Sequence, residues 1–476
     1  LSDWSSDVCS SDLSNQRQDQ YGGNLDNRMR LLLNITRAIR KAWPEGMLSV
    51  RINIDDFVSG GLVPEESVKV CRELEQAGID LIHCSCGTYS SGLTSIEPAS
   101  YPQGWKVYLA EKVKASVTIP VATGGMVRDP AAAEDIIARG QADLVFLGRS
   151  LLADPDWAYK AQEGRTDDIR PCLHCNHCSQ SNFAGLSVSC TVNPWAGREE
   201  ARCRGAGKTG LKVVVVGGGP GGMQAALSLS RAGARVTLYE KEQQLGGLLN
   251  LACLPPYKEK LAQFRDYLIR QLRQSQVQIL LNQPFTETTA VDGDQVVLAT
   301  GARPIIPAIP GWNPENCFLL EEVLPCPDAA RERVLVIGGG DNGCELADLL
   351  AANGKEVIIV EQGTVMAPQM EKKNRRDLLN RLQRQGVLFY TGSRVASIDG
   401  QRVALLRSEQ PEETIEVDRV VAAIGYQPVQ ELYRAVNRRF PHAWIIGDAF
   451  SVGGIRQAIL QAEELSSMII RGESES

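Results

Sequence analysis

Four closely spaced cysteines are the residues in this chain most suited to metal chemistry. Cys172, Cys175 and Cys178 are each separated by two residues, and eleven residues separate Cys178 from Cys190. Thiolates in such groups bind zinc or an iron–sulfur cluster. A zinc ribbon usually has two separated Cys-x2-Cys pairs, so this spacing favours a 4Fe–4S cluster. Zinc is the alternative, because histidines at 174 and 177 lie between the cysteines.

Two glycine-rich turns have a pattern that binds the pyrophosphate of a dinucleotide. The first runs over 217–222 after the apolar segment Lys212–Val216, and the second over 338–343 after Arg333–Ile337. Glycines permit a tight turn at which backbone N–H groups at a helix N-terminus approach phosphate closely. One such pattern also occurs in ordinary strand–helix turns, whereas two copies in the same context indicate two dinucleotide sites.

An acidic residue follows each turn at the end of the next apolar segment. These acids are Glu240 and Glu361, which close the predicted strands Arg235–Glu240 and Glu356–Glu361. A carboxylate at this place accepts hydrogen bonds from the ribose hydroxyls of a bound dinucleotide. The acids therefore strengthen the prediction of two dinucleotide sites.

Alternating helices and strands must position the residues that precede the cysteines. Strand, helix, strand at short spacing predicts a parallel sheet covered by helices. The predicted strands are Leu48–Ile54, Leu81–Cys84, Pro120–Thr123 and Asp143–Leu147, and the predicted helices are 25–42, 64–77, 105–115 and 130–139. These are four βα units, and a TIM barrel has eight, so the pattern predicts the second half of such a barrel.

The composition limits the classes of partner and location. The net charge is -7 and the pI about 5.4, which argues against binding to nucleic acid or an anionic membrane surface. No apolar run reaches the ~18 residues of a membrane span. Of the 13 cysteines, four lie between 172 and 190 and seven others lie mostly in apolar segments. This distribution predicts a cytoplasmic protein with a metal site rather than a disulfide framework.

Residues 211–476 resemble the flavoprotein disulfide reductases, in which an NAD(P)H-binding domain interrupts an FAD-binding domain. The resemblance includes Leu245-Gly246-Gly247, the glycines that follow two later strands, and Gly447-Asp448. It implies that FAD is held by Gly217, Gly219, Gly222, Glu240, Gly247, Gly301 and Asp448, with Asp448 on the ribityl chain. It implies that the nicotinamide cofactor is held by Gly338, Gly340, Gly343 and Glu361.

Two details refine this resemblance. Glu361 suits a free 2′-hydroxyl and repels a 2′-phosphate, so NADH is expected rather than NADPH. The redox-active Cys-x4-Cys pair of the disulfide reductases is absent from the sequence, so disulfide reduction is not expected.

The first part of the chain is similar to the old yellow enzyme family. The similar segments are 15–23 with Asn27-Arg28, Val50-Arg51, Thr123-Gly124-Gly125 and 147–155. Together with the cysteines and the dinucleotide module, their order resembles the branch of 2,4-dienoyl-CoA reductase and 2-enoate reductase. Bile-acid-type NADH:flavin oxidoreductases and trimethylamine dehydrogenase share this layout.

This second resemblance implies an FMN site in the first part. Arg51 would face the FMN ring, while Gly124, Gly125, Gly148 and Arg149 would grip its phosphate. Tyr89 would be the proton donor, because it occupies the place of a histidine in dienoyl-CoA reductase. The alternatives are a structural ion pair for Arg51, an ordinary turn for Gly124-Gly125 and an exposed loop position for Tyr89.

The predicted fold class is α/β, with the C-terminal half of a TIM barrel, an iron–sulfur loop and a two-dinucleotide module. The predicted domains are 14–165 for the half barrel, 166–210 for the cluster segment, 211–331 and 411–476 for the FAD domain, and 332–410 for the NAD(P)H domain. Residues 1–13 are mostly Ser and Asp without periodicity. They are predicted to be a foreign leader in place of four further βα units, with a disordered tail as the alternative.

The two resemblances imply one function. Electrons would pass from NADH to FAD, then singly through the 4Fe–4S cluster to FMN, which would reduce the activated C=C bond of a small enoate or dienoyl-CoA. An amine dehydrogenase that serves a partner flavoprotein is the first alternative, although it would not need the second glycine turn. A diaphorase subunit is the second alternative. The individual substrate, the reaction direction and the oligomeric state, including a homo-oligomer, stay open.

Overall fold

The computed structural model describes residues 13–202, 210–290, 293–329, 332–407, 413–440 and 442–472. The leader predicted at 1–13 lies outside these residues except for Leu13. The chain forms two compact units, of which the first contains the described residues up to Leu151 and Pro155–Thr166. The second contains Leu152–Asp154 and the described residues from Asp167 onward.

The first unit is a parallel sheet with the strand order β1-β2-β3-β4. Its strands are β1 Ser49–Asn53, β2 Leu81–Ser85, β3 Val121–Gly124 and β4 Leu144–Phe146. Its helices are α1 Leu25–Ala42, α2 Pro64–Gln76, α3 Val107–Lys114 and α4 Pro130–Ala138, with a 3-10 turn at Tyr89–Ser91. Two further helices are α5 Arg149–Ala153, at the junction with the second unit, and α6 Trp157–Gln162. The four predicted βα units are confirmed, with ends that differ by at most two residues.

Alternation along the strands gives this sheet two different faces. Ile52, Ile82 and Val121 are at most 1% exposed and belong to the core that the helices cover. Arg51 pairs in register with His83, one residue out of phase with that core, so both side chains lie on the opposite face. The sheet therefore presents polar side chains on the face that the helices do not cover.

The second unit begins with the cysteine segment and continues into two dinucleotide-binding folds. Its helices are α7 His177–Phe183, α8 Glu199–Arg202, α9 Pro220–Arg231, α10 Leu249–Ala252, α11 Glu259–Gln274, α12 Leu320–Val323, α13 Asp341–Ala352, α14 Lys372–Arg384, α15 Glu431–Asn437 and α16 Ile455–Arg471. Its 3-10 turns are Pro327–Ala329 and Gly447–Ala449, and a further turn, Thr166–Asp168, begins in the first unit.

The strands of the second unit form two five-stranded parallel sheets and two small antiparallel sheets. The parallel orders are β19-β8-β5-β6-β7 and β10-β17-β11-β12-β13, and the antiparallel orders are β14-β15-β16 and β18-β9. The strands are β5 Lys212–Val216, β6 Arg235–Tyr239, β7 Gln278–Leu280, β8 Gln295–Leu298, β9 Ala302–Pro304, β10 Cys317–Leu319, β11 Arg333–Ile337, β12 Glu356–Val360, β13 Leu388–Tyr390, β14 Ser393–Asp399, β15 Arg402–Arg407, β16 Glu413–Glu416, β17 Arg419–Ala422, β18 Tyr426–Pro428 and β19 Ala443–Ile445.

Strand pairing extends the second fold beyond the predicted boundaries of 332–410. β17 lies between β10 and β11 in the same parallel sheet. β10 precedes the predicted start and β17 follows the predicted end, so the boundaries at 331/332 and 410/411 would divide one hydrogen-bonded sheet. The strand pairing therefore assigns Cys317–Leu319 and Arg419–Ala422 to the fold that carries the second glycine turn.

No helix in the described part of the chain is long and apolar enough to cross a membrane.

Candidate functional site

The first glycine turn joins β5 to α9 in a conformation that only glycine can adopt. Gly217 has a φ of +106°, in the left-handed range where side chains are strained. A Cβ on Gly222 would collide with the carbonyl oxygen of Gly217, whereas a Cβ on Gly219 would meet no protein atom within 4 Å. The protein is thus packed tightly behind the turn and open in front of it, as a pyrophosphate site at a helix N-terminus requires.

Glu240 is held in front of this turn by backbone N–H groups. The N–H of Gly218 donates to Glu240 Oε2 at 2.6 Å, and the N–H of Glu242 donates to Oε1 at 2.9 Å. The residue is 6% exposed. A carboxylate has about four lone-pair positions, so each oxygen keeps acceptor capacity for a ribose hydroxyl.

The second turn, between β11 and α13, repeats this arrangement. Gly338 has a φ of +105°, a Cβ on Gly343 would collide with the Gly338 carbonyl, and the space beside Gly340 is open. The N–H groups of Gly339 and Gly363 each donate to Glu361 at 2.6 Å. The two predicted dinucleotide sites therefore have the same local geometry.

One cavity of about 2250 Å³ connects the two turns. Gly247, Gly301 and Asp448 line it together with both turns. The N–H groups of Gly453 and Gly454 donate to Asp448 Oδ1 at 3.1 and 3.4 Å, at the start of α16. The structure thus brings the predicted residues of both dinucleotide sites to one cavity within a single unit, except Gly222 and Gly343, which do not line it.

The four cysteines lie in the segment that precedes β5, and three of them pack against the core of the first dinucleotide fold. Cys172, Cys175 and Cys190 contact that core. Burial raises the pKa of the Cys175 and Cys190 thiols, although backbone N–H groups donate to both sulfurs and oppose this effect. The N–H of His174 approaches Cys172 Sγ at 3.5 Å. Partly buried sulfurs that accept hydrogen bonds are suited to bind a cluster as thiolates.

No three Cys, His, Asp or Glu side chains in the described ranges, the four cysteines included, are placed to hold one metal ion. The assignment of these cysteines as cluster ligands stays a prediction.

In the first unit, Arg51 and His83 lie side by side on the face opposite the helices. Arg51 donates from Nη2 to Ser85 Oγ at 3.1 Å. The ring of His83 lies 3.9 Å from that of Phe146. Burial, with the Arg51 cation as a smaller cause, lowers the pKa of His83 to about 4, so this imidazole is neutral at pH 7. His83 was not predicted from the sequence. It lies two residues before Ser85 on β2, so both side chains are on the same face of the sheet as Arg51.

An acid and a cation that were not predicted from the sequence lie beside the predicted phosphate-binding residues. Glu97 is 3% exposed and forms ion pairs of 2.8 Å with both Arg149 and Lys106. Although burial raises the pKa of Glu97, the two cations outweigh it and hold that pKa below its usual value. A Cβ on Gly125 would collide with the Lys106 side chain, while the space at Gly148 is open.

The remaining predicted residues have plain local surroundings. A Cβ on Gly124 would collide with Phe146, so that glycine permits close strand packing. Tyr89 is 90% exposed on its 3-10 turn, so its role as proton donor stays a prediction. Arg17 forms an ion pair with Asp19 in the loop before α1.

Comparison with known proteins identifies both parts of the chain. Residues 10–168 match the NADH:flavin oxidoreductase / NADH oxidase family, and residues 211–451 match the pyridine nucleotide-disulphide oxidoreductase family. An NADH oxidase from Thermoanaerobacter brockii is 42% identical over 94% of this chain and 70% of that protein. The chain belongs to the NADH:flavin oxidoreductase / NADH oxidase family.

Two further similarities refine the place of this NADH:flavin oxidoreductase. A cinnamate reductase from Clostridium sporogenes is 33% identical over 96% of this chain and 71% of that protein. A solved 2-naphthoyl-CoA reductase in complex with 2-naphthoyl-CoA has a TM-score of 0.92 and 28% identity, over 98% of this chain and 71% of that one. The predicted fold class and the resemblance to the enoate and dienoyl-CoA reductase branch are confirmed.

This NADH:flavin oxidoreductase is a flavin and iron–sulfur enzyme, with FMN, FAD, NADH and a 4Fe–4S cluster as its cofactors. The residues fit these groups. The space at Gly219 and Gly340 is open for the two pyrophosphates, and Gly148 is open in the predicted phosphate loop. The four partly buried cysteines, with hydrogen bonds at the Cys172 and Cys175 sulfurs, suit the cluster.

Proposed function

We propose that this NADH:flavin oxidoreductase uses NADH to reduce the C=C bond of an α,β-unsaturated carboxylate or its CoA thioester. The β-carbon takes up a hydride, the α-carbon takes up a proton, and NADH becomes NAD⁺. The observation that carries the proposal is the intact second turn, with Glu361 in place, on the same cavity as the first turn. The names of the cinnamate and 2-naphthoyl-CoA reductases support the substrate class.

The dinucleotide residues bind and orient in this proposal. Gly217, Gly219 and Gly222 would hold the FAD pyrophosphate, with Glu240 on its ribose and with Gly247, Gly301 and Asp448 along the cavity. Gly338, Gly340 and Gly343 would hold NADH, with Glu361 on its ribose. When bound, the flavins supply hydride chemistry and the cluster supplies one-electron transfer between them.

The residues of the first unit would bind FMN and manage charge. Gly124, Gly125, Gly148 and the Arg149 guanidinium would hold its phosphate. Arg51 is a cation on the open face of the sheet, where it would stabilise negative charge on a reduced flavin. Tyr89 would give the α-carbon its proton, and the neutral His83 beside Arg51 is a second group on that face.

Location and partners complete the proposal. The described cysteines are free thiols, and iron–sulfur ligands need reducing conditions, which supports a cytoplasmic location. The partner is a small unsaturated molecule, and a homo-oligomer is compatible with it. The domain order is the half barrel, the cluster segment of Cys172, Cys175, Cys178 and Cys190, and the FAD and NADH folds.

The test is an anaerobic assay of the protein purified from its native source. The chain spans about 70% of the length of the curated relatives it matches. Cinnamate, and in a separate assay cinnamoyl-CoA, should stimulate NADH oxidation. The product should contain two more hydrogen atoms than the substrate, as measured by mass spectrometry. A methylated amine is the comparison substrate. Flavin bleaching by the amine without NADH, together with no stimulation by either alkene, would support an amine dehydrogenase instead.

A further inference from the structure

The helix α14 of the NADH-binding fold contacts the cysteine segment through one side chain. Asn374 Nδ2 donates to the carbonyl oxygen of Cys175 at 3.3 Å and approaches that of His174 at 3.5 Å. The two segments lie about two hundred residues apart in the sequence, and both belong to the second unit. This contact therefore joins the predicted NADH fold directly to the predicted cluster loop.

The orientation of the Asn374 amide is fixed by its neighbours. Its Nδ2 also donates to Glu371 Oε2 at 3.1 Å, and the same carboxylate caps α14 by accepting from the Asn374 N–H at 3.0 Å. Every group around Nδ2 in these contacts is an acceptor, so the NH2 end must face the loop.

The loop that Asn374 holds has an unusual backbone. His174 and Asn176 both have left-handed φ values, of 51° and 59°, and both are at most 2% exposed. In a trans peptide the C=O and N–H point in opposite directions. The peptide that gives the His174 carbonyl to Asn374 therefore turns the Cys175 N–H away from Asn374. In the same loop the preceding peptide N–H, that of His174, is directed to Cys172 Sγ at 3.5 Å.

We propose that Asn374 is a positioning residue for the 4Fe–4S cluster, which raises the cluster's reduction potential by holding peptide N–H groups towards its sulfurs. Hydrogen bonds to the sulfurs stabilise the more negative, reduced cluster, and such contacts are among the main determinants of cluster potentials. The inference rests on the assignment of Cys172, Cys175, Cys178 and Cys190 as ligands.

Residues 367–374 connect the contact between Asn374 and the cysteine loop to the second glycine turn. The N–H of Ala367 donates to the Gly339 carbonyl at 2.7 Å, and Pro368 and Gln369 line the dinucleotide cavity. Eight residues thus lead from the turn that would bind NADH to the side chain that holds the cluster loop. Binding of a ligand in the cavity is therefore expected to change the reduction equilibrium of the cluster. Reduction of the cluster should change the affinity for that ligand by the same factor.

The experiment compares Asn374→Asp and Asn374→Ala with Asn353→Ala in the 476-residue chain. Asp at position 374 has the size of Asn and is favourable in the first turn of α14. It replaces the NH2 group by an oxygen, which would face three acceptors, the carbonyl oxygens of His174 and Cys175 and the Glu371 carboxylate. Asn353 is a matched control, since its amide donates to Leu349 within α13. Iron content and the cluster's potential and EPR signal are measured for each protein.

We expect about four irons per chain in every variant. At a fixed potential, Asn374→Asp should lower the ratio of reduced to oxidised cluster at least tenfold, which is 59 mV for a one-electron couple. Asn374→Ala should lower it less, and Asn353→Ala should leave it unchanged. NAD⁺ should shift the potential of the wild-type cluster more than that of Asn374→Ala.

The outcomes separate the two proposals. Full iron with an unchanged potential in Asn374→Asp would overturn the role of Asn374 and leave the ligand assignment intact. Absence of iron from the wild-type chain would overturn both.

Discussion

Glu240 and Glu361 occupy equivalent positions, one beside each glycine turn. Each is held by two backbone N–H groups, one from its own glycine turn and one from the loop after its strand. These bonds hold each carboxylate in one position beside the proposed place of a ribose. The discrimination between NADH and NADPH should therefore depend on a rigid negative charge rather than on a mobile side chain.

Replacement of Glu361 by Ser tests this discrimination. In the wild-type chain NADH should reduce bound FAD at least tenfold faster than NADPH, because the carboxylate repels a 2′-phosphate. Glu361→Ser should bring the ratio of the NADH rate to the NADPH rate closer to one, as measured by stopped-flow absorbance of the flavin.

Glu356→Ser is the matched control, since Glu356 lies at the other end of β12 in an ion pair with Arg333. It should leave the ratio unchanged. Equal wild-type rates for the two cofactors would refute this role of Glu361.

The sequence alone predicted the residues around the two glycine turns, but it did not predict the side chains that surround the proposed FMN phosphate site. The glycines and their acids lie within about 25 residues of each other, so local sequence reveals them. Glu97 and Arg149 meet only after folding, 52 residues apart, and Asn374 meets Cys175 across 199 residues. Contacts of this kind have no periodicity that a single sequence displays.

At the scale of elements, the cysteine segment depends on the fold that follows it. Cys172, Cys175 and Cys190 pack against the core formed by β5, β6 and α9, and Asn374 holds the loop from α14. Residues 171–176, which contain Cys172 and Cys175, form no helix or strand, and Cys178 lies in the short helix α7. The shape of the loop therefore comes from these contacts and, as we propose, from the cluster.

Anaerobic purification of the chain tests the cluster. The wild type should be brown and carry about four irons, while Cys190→Ser should lose most of the iron because one thiolate ligand is gone. Cys326→Ser is the matched control, since Cys326 is exposed and lies outside the cysteine segment. Stoichiometric zinc without iron would contradict the assignment.

Element boundaries were harder to predict than elements. The helices and strands of the first unit follow hydrophobic periodicity, and most of their ends agree within one residue. The second parallel sheet takes β10 and β17 from outside the predicted range 332–410. Sequence order could not show this, because strands that border the inserted fold pair across it.

For the whole molecule, the two units differ in how their sheets are completed. In the described part of the chain β1 and β4 each pair along one side only, and Leu144 on β4 is 46% exposed. The two parallel sheets of the second unit each have a mostly buried central strand, β5 or β11, with a neighbouring strand on both sides.

The 476-residue chain is therefore expected to separate two activities. It should retain FAD and reduce an artificial dye with NADH, because those sites lie in the second unit. It should bind added FMN weakly and reduce enoates little, because four strands supply only part of a barrel interior. Dye reduction, FMN binding and enoate turnover are measured on one preparation. Full FMN occupancy with rapid enoate turnover would refute the expected separation.

The most direct measurement of the central claim is an anaerobic titration of this chain with NADH, followed by flavin absorbance and by EPR. The claim is that NADH, FAD and the cluster form one working set within the second unit. We predict that NADH bleaches the flavin and that the EPR signal of a reduced 4Fe–4S cluster then develops. A flavin that stays oxidised, or a bleached flavin beside an iron-loaded cluster that never receives an electron, would contradict the account.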